Sequence, residues 1–381
     1  MGNPYGGDPY MLAIRLITFF ITISAPIHFV WASKEIVELT VGKGLTYPVY
    51  ADSIEISQET KQVSAFILAK DTSVELARGN KFDFYKGDKL ALHPNGFVAS
   101  SVINHPLGKT NTWKLPSGQE VILNCGKIPP SSFNPVGAVR VVRFYESGEY
   151  ERGCDLQTTT TLPLPMGEVT LSYASKLELF ESGSLKYGSY VRKGSLTLFD
   201  SKFELQPRSE IYFFSDTQIS FCTPKSGEHF KAWTTQFGTL EFVQPEKTVS
   251  ISLFENGEIK RAIVKNALEM GGLEIPPFSQ IVLSRIEDKE GKEPTEGPTY
   301  LAGAVLSEPR IFSSMDGYKI ETLVPGFNRA EQVIGVVANK AFTFTNPDSN
   351  EEFVVKKEAR VHFQNGLIVG IENPTKNPNS P

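Results

Sequence analysis

This 381-residue sequence predicts an all-β fold: an elongated or rolled antiparallel array of hairpin repeats, each about forty residues, with a β-propeller as the nearest alternative. Three observations carry the prediction. Apolar and polar residues alternate at period two in segment after segment. Asn-Gly and Ser-Gly turns recur between those segments. Helical periodicity is scarce, and residues 328–339 are the one stretch read as a short helix.

The N-terminus comes first. Residues 1–10 (MGNPYGGDPY) are polar and rich in Gly and Pro, which predicts an unstructured lead. Met11 then opens a segment with one positive charge at Arg15, an apolar run from Leu16 to Trp31, and a Val30-x-Ala32 exit before Ser33. That order is what a signal peptidase reads. Translation is expected to start at Met11, with Met1 as the other candidate, and residues 1–32 are assigned to lead and signal peptide. Seventeen residues from Leu16 to Ala32, interrupted by Pro26 and His28, sit at the short limit of a bilayer span. A membrane link is therefore expected only if this segment stays uncleaved. Residues 33–74 follow as an N-terminal β cap, because IVELTVGKGLTYPVYADSIEIS suggests two or three strands.

The repeats occupy residues 75–284 and resume over 299–372. One recurring segment is an apolar pair, a turn with Gly, and a short strand. It reads ALHPNGFVASSVI (91–103), RFYESGEYERGCDL (143–156), LELFESGSLKYGSYV (177–191), ISLFENGEIKRAIV (251–264) and, truncated, VHFQNGLIVGIE (361–372), with FCTPKSGEHFKAW (221–233) as a degenerate relative. Its turn glycines are Gly96, Gly148, Gly183, Gly227, Gly257 and Gly366. They are needed for turns of type I′, or type I with a bulge, where one residue takes positive φ. The gap between Gly257 and Gly366 has room for two diverged units, one near Val324–Gly335. A second segment, a Pro or Gly turn followed by alternation, lies upstream of several copies, as in PLPMGEVTLSY (163–173) and EIPPFSQIVLS (274–284). One such unit has too few layers to bury its apolar face, so stability must come from stacking neighbours. Edge caps are expected near 33–70 and 341–363. The charged stretch 285–298 reads as an exposed loop and 373–381 as a disordered tail.

The hairpin cores FYESGEYE, LFESGSLK and LFENGEIK resemble the MORN-type repeats and their diverged relatives in exported bacterial proteins. The second glycine of that repeat stands at Gly153 and Gly188 and is Ala262 in the third copy. The resemblance implies structural repetition with binding or scaffolding, and carries no catalytic residues.

Three cysteines, Cys125, Cys154 and Cys222, match no zinc or redox spacing. Cys125 and Cys154 are a possible disulfide in an oxidising compartment. The simpler reading takes all three as small hydrophobes within strands.

Chemistry is sparse. With 38 Lys+Arg against 43 Asp+Glu there is no charge excess to hold a polyanion, so no nucleic-acid partner is expected. His93, His105, His229 and His362 show no metal-pair spacing, and neither a nucleophile elbow nor a dinucleotide glycine motif occurs. Glu146, Glu181 and Glu255 recur at one repeat position, which suits turn solvation or cross-strand pairing with Lys186 and Lys260 better than a catalytic pair. No catalytic, cofactor-binding or metal-binding residue is assigned, and no cofactor is expected. Aromatic clusters (Phe82, Phe84 and Tyr85; Phe144 and Tyr145; Tyr212, Phe213 and Phe214; Phe342 and Phe344) should build the core, with the outward members free to stack on sugars or a protein. The expected function is an exported, non-catalytic interaction or structural module of the bacterial envelope or extracellular space, binding a protein or glycan partner. A carbohydrate-binding adhesin and a hydrolase assembled across repeats are the alternatives.

Overall fold

The computed structural model describes residues 34–42, 44–104, 108–127, 139–246, 249–270, 272–285, 299–346 and 349–374. The segment expected to be lead and signal peptide, His105, the charged stretch beyond Arg285 and the tail from 375 lie outside these residues.

Two antiparallel meander sheets form the frame. A six-stranded sheet runs, in spatial order, through Tyr150–Arg152, Arg140–Phe144, Val98–Ile103, Lys89–Leu92, Val63–Ile67 and Glu55–Ile56. A thirteen-stranded sheet extends from Leu177–Leu179 to Leu367–Glu372: twelve strands follow in chain order, each antiparallel to the one before, and Arg310–Ser313 branches off by pairing with Lys319–Phe327. Among the described residues no sheet closes into a barrel, and the main strand order is linear, which replaces the propeller alternative with an all-β array.

Between successive pairs of sheet strands the chain leaves for a side hairpin. Thr72–Glu75 pairs with Lys81–Phe84, His229–Thr234 with Gly238–Val243, Leu268–Met270 with Leu273–Ile275, and Phe342–Thr345 with Glu352–Val355. The strands alternate as half-buried strands must: exposed and buried residues take turns along Thr110–Lys114, His229–Thr234 and Arg360–Gln364. Their inward residues join one continuous core from Val41 to Phe363. Phe144 of the six-stranded sheet meets Phe82 and Phe84 of a side hairpin at 5.1 and 6.1 Å between ring centroids, and Trp113 at 6.3 Å. A repeat is therefore two sheet strands plus one side hairpin. Neither part could bury its apolar face alone.

Two kinds of turn recur. Gly96, Gly148, Gly183 and Gly257 each join adjacent sheet strands. The glycine N–H donates to the carbonyl three residues back (2.8–2.9 Å), and φ is 84 to 87°. This is the type I turn with a glycine bulge. Asn365 (φ 51°) and Gly366 (φ 79°) make a two-residue type I′ turn instead. Close approach adds a second demand at Gly183, where a Cβ would lie 2.7 Å from the Pro116 ring.

Gly227 belongs elsewhere. It is the positive-φ residue of a corner at the base of the side hairpin beginning at His229, where Glu228 N–H bonds back to the Lys225 carbonyl and Gly227 N–H to Gln244. The same corner is built around Gly87, Ala174, Arg208, Phe278 and Glu358, each of whose N–H donates to the residue that starts its side excursion: Leu68, Leu156, Val191, Val264 and Ala338. Four of these six positions carry a non-glycine residue at φ 61 to 70°.

Other expectations are corrected. Residues 328–339 are a turn followed by strand Val333–Ala338, paired with Lys319–Phe327 and Arg360–Gln364. Its Val-Ile-Gly-Val-Val core is β-branched, and sheet neighbours on both sides decide the conformation. Cys125 and Cys154 form a disulfide with Cα atoms 4.4 Å apart, tying the end of strand Glu120–Asn124 to the chain leaving the six-stranded sheet. Cys222 alone is free, fully buried, its thiol pushed up by burial. The gap before Gly366 holds two strand pairs of the long sheet, Gln280–Arg285 with Thr299–Val305 and Lys319–Phe327 with Val333–Ala338.

Candidate functional site

Following Cα partners from strand to strand traces one line across the outward face of the thirteen-stranded sheet. Directly opposed residues share a face, so the line is a continuous surface. Its first half is aromatic. Tyr187 opposes Tyr212, and Tyr212 opposes Phe221. The tyrosine rings stack at 4.4 Å, and Phe221 meets Tyr212 edge-on at 5.5 Å. Both hydroxyls donate to one carboxylate: Tyr187 Oη to Glu210 Oε1 at 2.8 Å and Tyr212 Oη to Oε2 at 3.2 Å. Burial, reinforced by Glu210, pushes the Tyr187 hydroxyl well up, so it remains a neutral donor. Beside Phe221 a groove of about 410 Å³ opens between Gln206, Arg208, Glu210, Thr223 and Ser250.

Past Ser252 and Arg261 the line turns to small residues. Gly303 opposes Gly326, which opposes Gly335, which opposes His362. Glycine at the facing position of three consecutive strands leaves a trough of about 440 Å³ rimmed by Val305, Val324 and Ile334, all exposed.

A third cavity, about 290 Å³, lies where the Leu115–Ser117 turn meets Leu162 and the Gly183 hairpin. Ser182 and Ser184 both donate to Asp216 Oδ1, at 2.8 and 2.7 Å. A serine nucleophile needs an adjacent general base able to take its proton, as a histidine does. Here both hydroxyls converge on a carboxylate and no histidine nitrogen bonds either, an arrangement that fixes a turn.

The remaining sequence candidates separate. Glu146, Glu181 and Glu255 are exposed at three different turns and are not brought together as a pair, while Lys186 and Lys260 lie over Phe180 and Phe254 of their own hairpins, at 5.8 and 5.2 Å. His93 Nε2 bonds the Phe144 carbonyl at 3.0 Å, and exposed His362 lies 3.4 Å from Glu372. Among the described residues no group of three or more His, Cys, Asp or Glu could hold a metal ion, and no helix is long and apolar enough to cross a membrane.

Sequence reading missed the residue after the turn glycine. In two units it is an inward-pointing acid paired with an arginine from elsewhere in the array. Glu149 Oε1 lies 2.6 Å from Arg78 Nε, and Glu258 Oε2 lies 3.4 Å from Arg285 Nη2. The recurring Glu after Gly in FYESGEYE and LFENGEIK was the available signal. Glu258 also accepts from Thr235 N–H and Oγ1 (2.8 and 2.7 Å) and from Asn256 (3.1 Å), and the Arg285 guanidinium sits 4.4 Å from the Phe254 ring centre.

Compared with known proteins, the chain matches no protein-family model and no curated protein.

Proposed function

We propose that the chain is an exported, non-catalytic β-repeat protein, related in design to MORN-like hairpin arrays, that serves as an interaction or structural module of the bacterial envelope or extracellular space. The observation that carries this reading is the uninterrupted outward face of the long sheet. Tyr212 and Phe214 at one end and Val305, Val324 and Ile334 at the other are exposed along it, on either side of Ser252 and Arg261. Export is supported by the Cys125–Cys154 disulfide, since such bonds persist in oxidising compartments.

Fractionation of cells expressing the full chain, with intact mass of the recovered protein, tests it. The expected product lies outside the cytosol, starts near Ser33 and is two hydrogens lighter than its fully reduced mass. Full-length cytosolic protein with all three thiols reduced overturns the reading.

A further inference from the structure

The groove beside Phe221 has a composition that the interaction reading leaves unused. Its floor is one half-buried aromatic ring. Gln206, Arg208 and Glu210, whose side chains end in flat hydrogen-bonding groups, line it together with Ser209, Thr223 and Ser250. From these residues we infer that the groove is a binding site for a neutral pyranose sugar. The inference rests on the interaction-module reading and narrows its ligand.

Three features favour that class. Arg208 and Glu210 put opposite charges side by side, so an anion is opposed by one and a cation by the other. A neutral polyol is opposed by neither. Planar groups that can bond two adjacent oxygens suit vicinal hydroxyls, and an aromatic floor suits the C–H face of a sugar ring. The site is also built in advance. Tyr187 and Tyr212 hold Glu210 by its two oxygens, Thr223 Oγ1 and Ser250 Oγ are 2.9 Å apart, and Ser209 Oγ donates to the Gln206 carbonyl at 2.6 Å. The volume of about 410 Å³ falls within the range of small-molecule pockets.

Arg208 is the residue to test. It has no ion pair among the described residues, and it occupies a corner position at φ 64°, where glycine is preferred. Nothing about the corner asks for arginine; a ligand would.

The experiment titrates the purified full chain with maltotriose, cellotriose, mannotriose and triacetylchitotriose, reading saturation-transfer NMR and calorimetry, with thermal melting of each variant. Binding of at least one trisaccharide is expected, weakened about tenfold or more in Arg208→Gly, whose melting temperature stays level or rises. Phe221→Ser should abolish the saturation-transfer signal, and Val354→Ser, exposed on the side hairpin at the far end of the long sheet, should leave it unchanged. Wild-type binding that Arg208→Gly and Phe221→Ser both leave intact overturns this site. Failure of all four sugars in a protein correctly exported and disulfide-bonded overturns the sugar assignment and leaves the interaction reading standing.

Discussion

Glu149 and Glu258 occupy the same place in two repeats, immediately after the turn glycine and facing the core, yet their carboxyls are pushed in opposite directions. At Glu149, burial raises the carboxyl above its ordinary value of 4.5, and a single arginine that is itself partly exposed does not bring it back. At Glu258, burial acts in the same sense, but hydrogen bonds from Thr235, Asn256 and Arg285 outweigh it and leave the carboxyl low. The lesson is that one motif position can cost or stabilise according to how many donors surround it. The surroundings differ in another way too. The Glu149 unit lies next to a disulfide, whereas the Glu258 unit relies on its polar network alone.

The comparison breaks most sharply at the central pair. Glu258→Ala takes a buried carboxylate away from the donors of Thr235, Asn256 and Arg285 and should destabilise the protein by about 3–5 kcal/mol in urea titrations. A loss under 1 kcal/mol would mean that the network contributes little. Next is the covalent tie. Cys154→Ser opens a loop of 29 residues' separation and should cost about 3–4 kcal/mol, most visibly as early melting of the six-stranded sheet. Equal protection of both sheets from hydrogen exchange in this variant would contradict the idea that the tie acts locally.

The acid titration sharpens the contrast in sign. Glu258, with a lowered folded value, contributes stability that is fully present above the unfolded carboxyl value and lost as pH falls through the folded one. Glu149, raised when folded, subtracts from stability once pH passes the unfolded value, and the subtraction disappears in acid. Glu149→Gln should therefore be close to neutral at pH 7, within about 1 kcal/mol, and should gain more stability than wild type between pH 4 and 6. Glu258→Gln should gain less. The smallest effect is expected at the corners: Phe278→Gly relieves a positive φ of 63° at an exposed site, and should raise stability by no more than about 1 kcal/mol in the same titrations.

Which of these features could be read beforehand follows from how local each one is. The Asn95-Gly96 and Asn256-Gly257 turns were legible because positive φ is a demand a dipeptide makes by itself. Gly227 was misplaced for the same reason, since Ser-Gly looks alike in a hairpin and in a corner. Among the corners without glycine, Phe278 falls in the Pro turn of EIPPFSQIVLS and Arg208 follows Pro207, whereas Ala174 and Glu358 have neither proline nor glycine beside them. Gly317 closes the same bulged turn as Gly96 but follows Ser-Ser-Met-Asp in place of an aromatic and an acid, and it lies in a side hairpin. The groove was least legible. Phe221, Tyr212 and Tyr187 come together only through strand register, and register shifts at Tyr212–Phe213 and Ser252–Leu253 defeat counting by twos along the chain.

Cys222 has a consequence of its own. The strand that carries it places the neighbouring Phe221 in the groove, while the thiol itself is sealed in the core with its ionisation suppressed. A thiol-labelling reagent can reach it only when that strand parts from its neighbours. The wild-type chain thus contains a stopwatch for breathing at its centre, and a bound ligand would slow it.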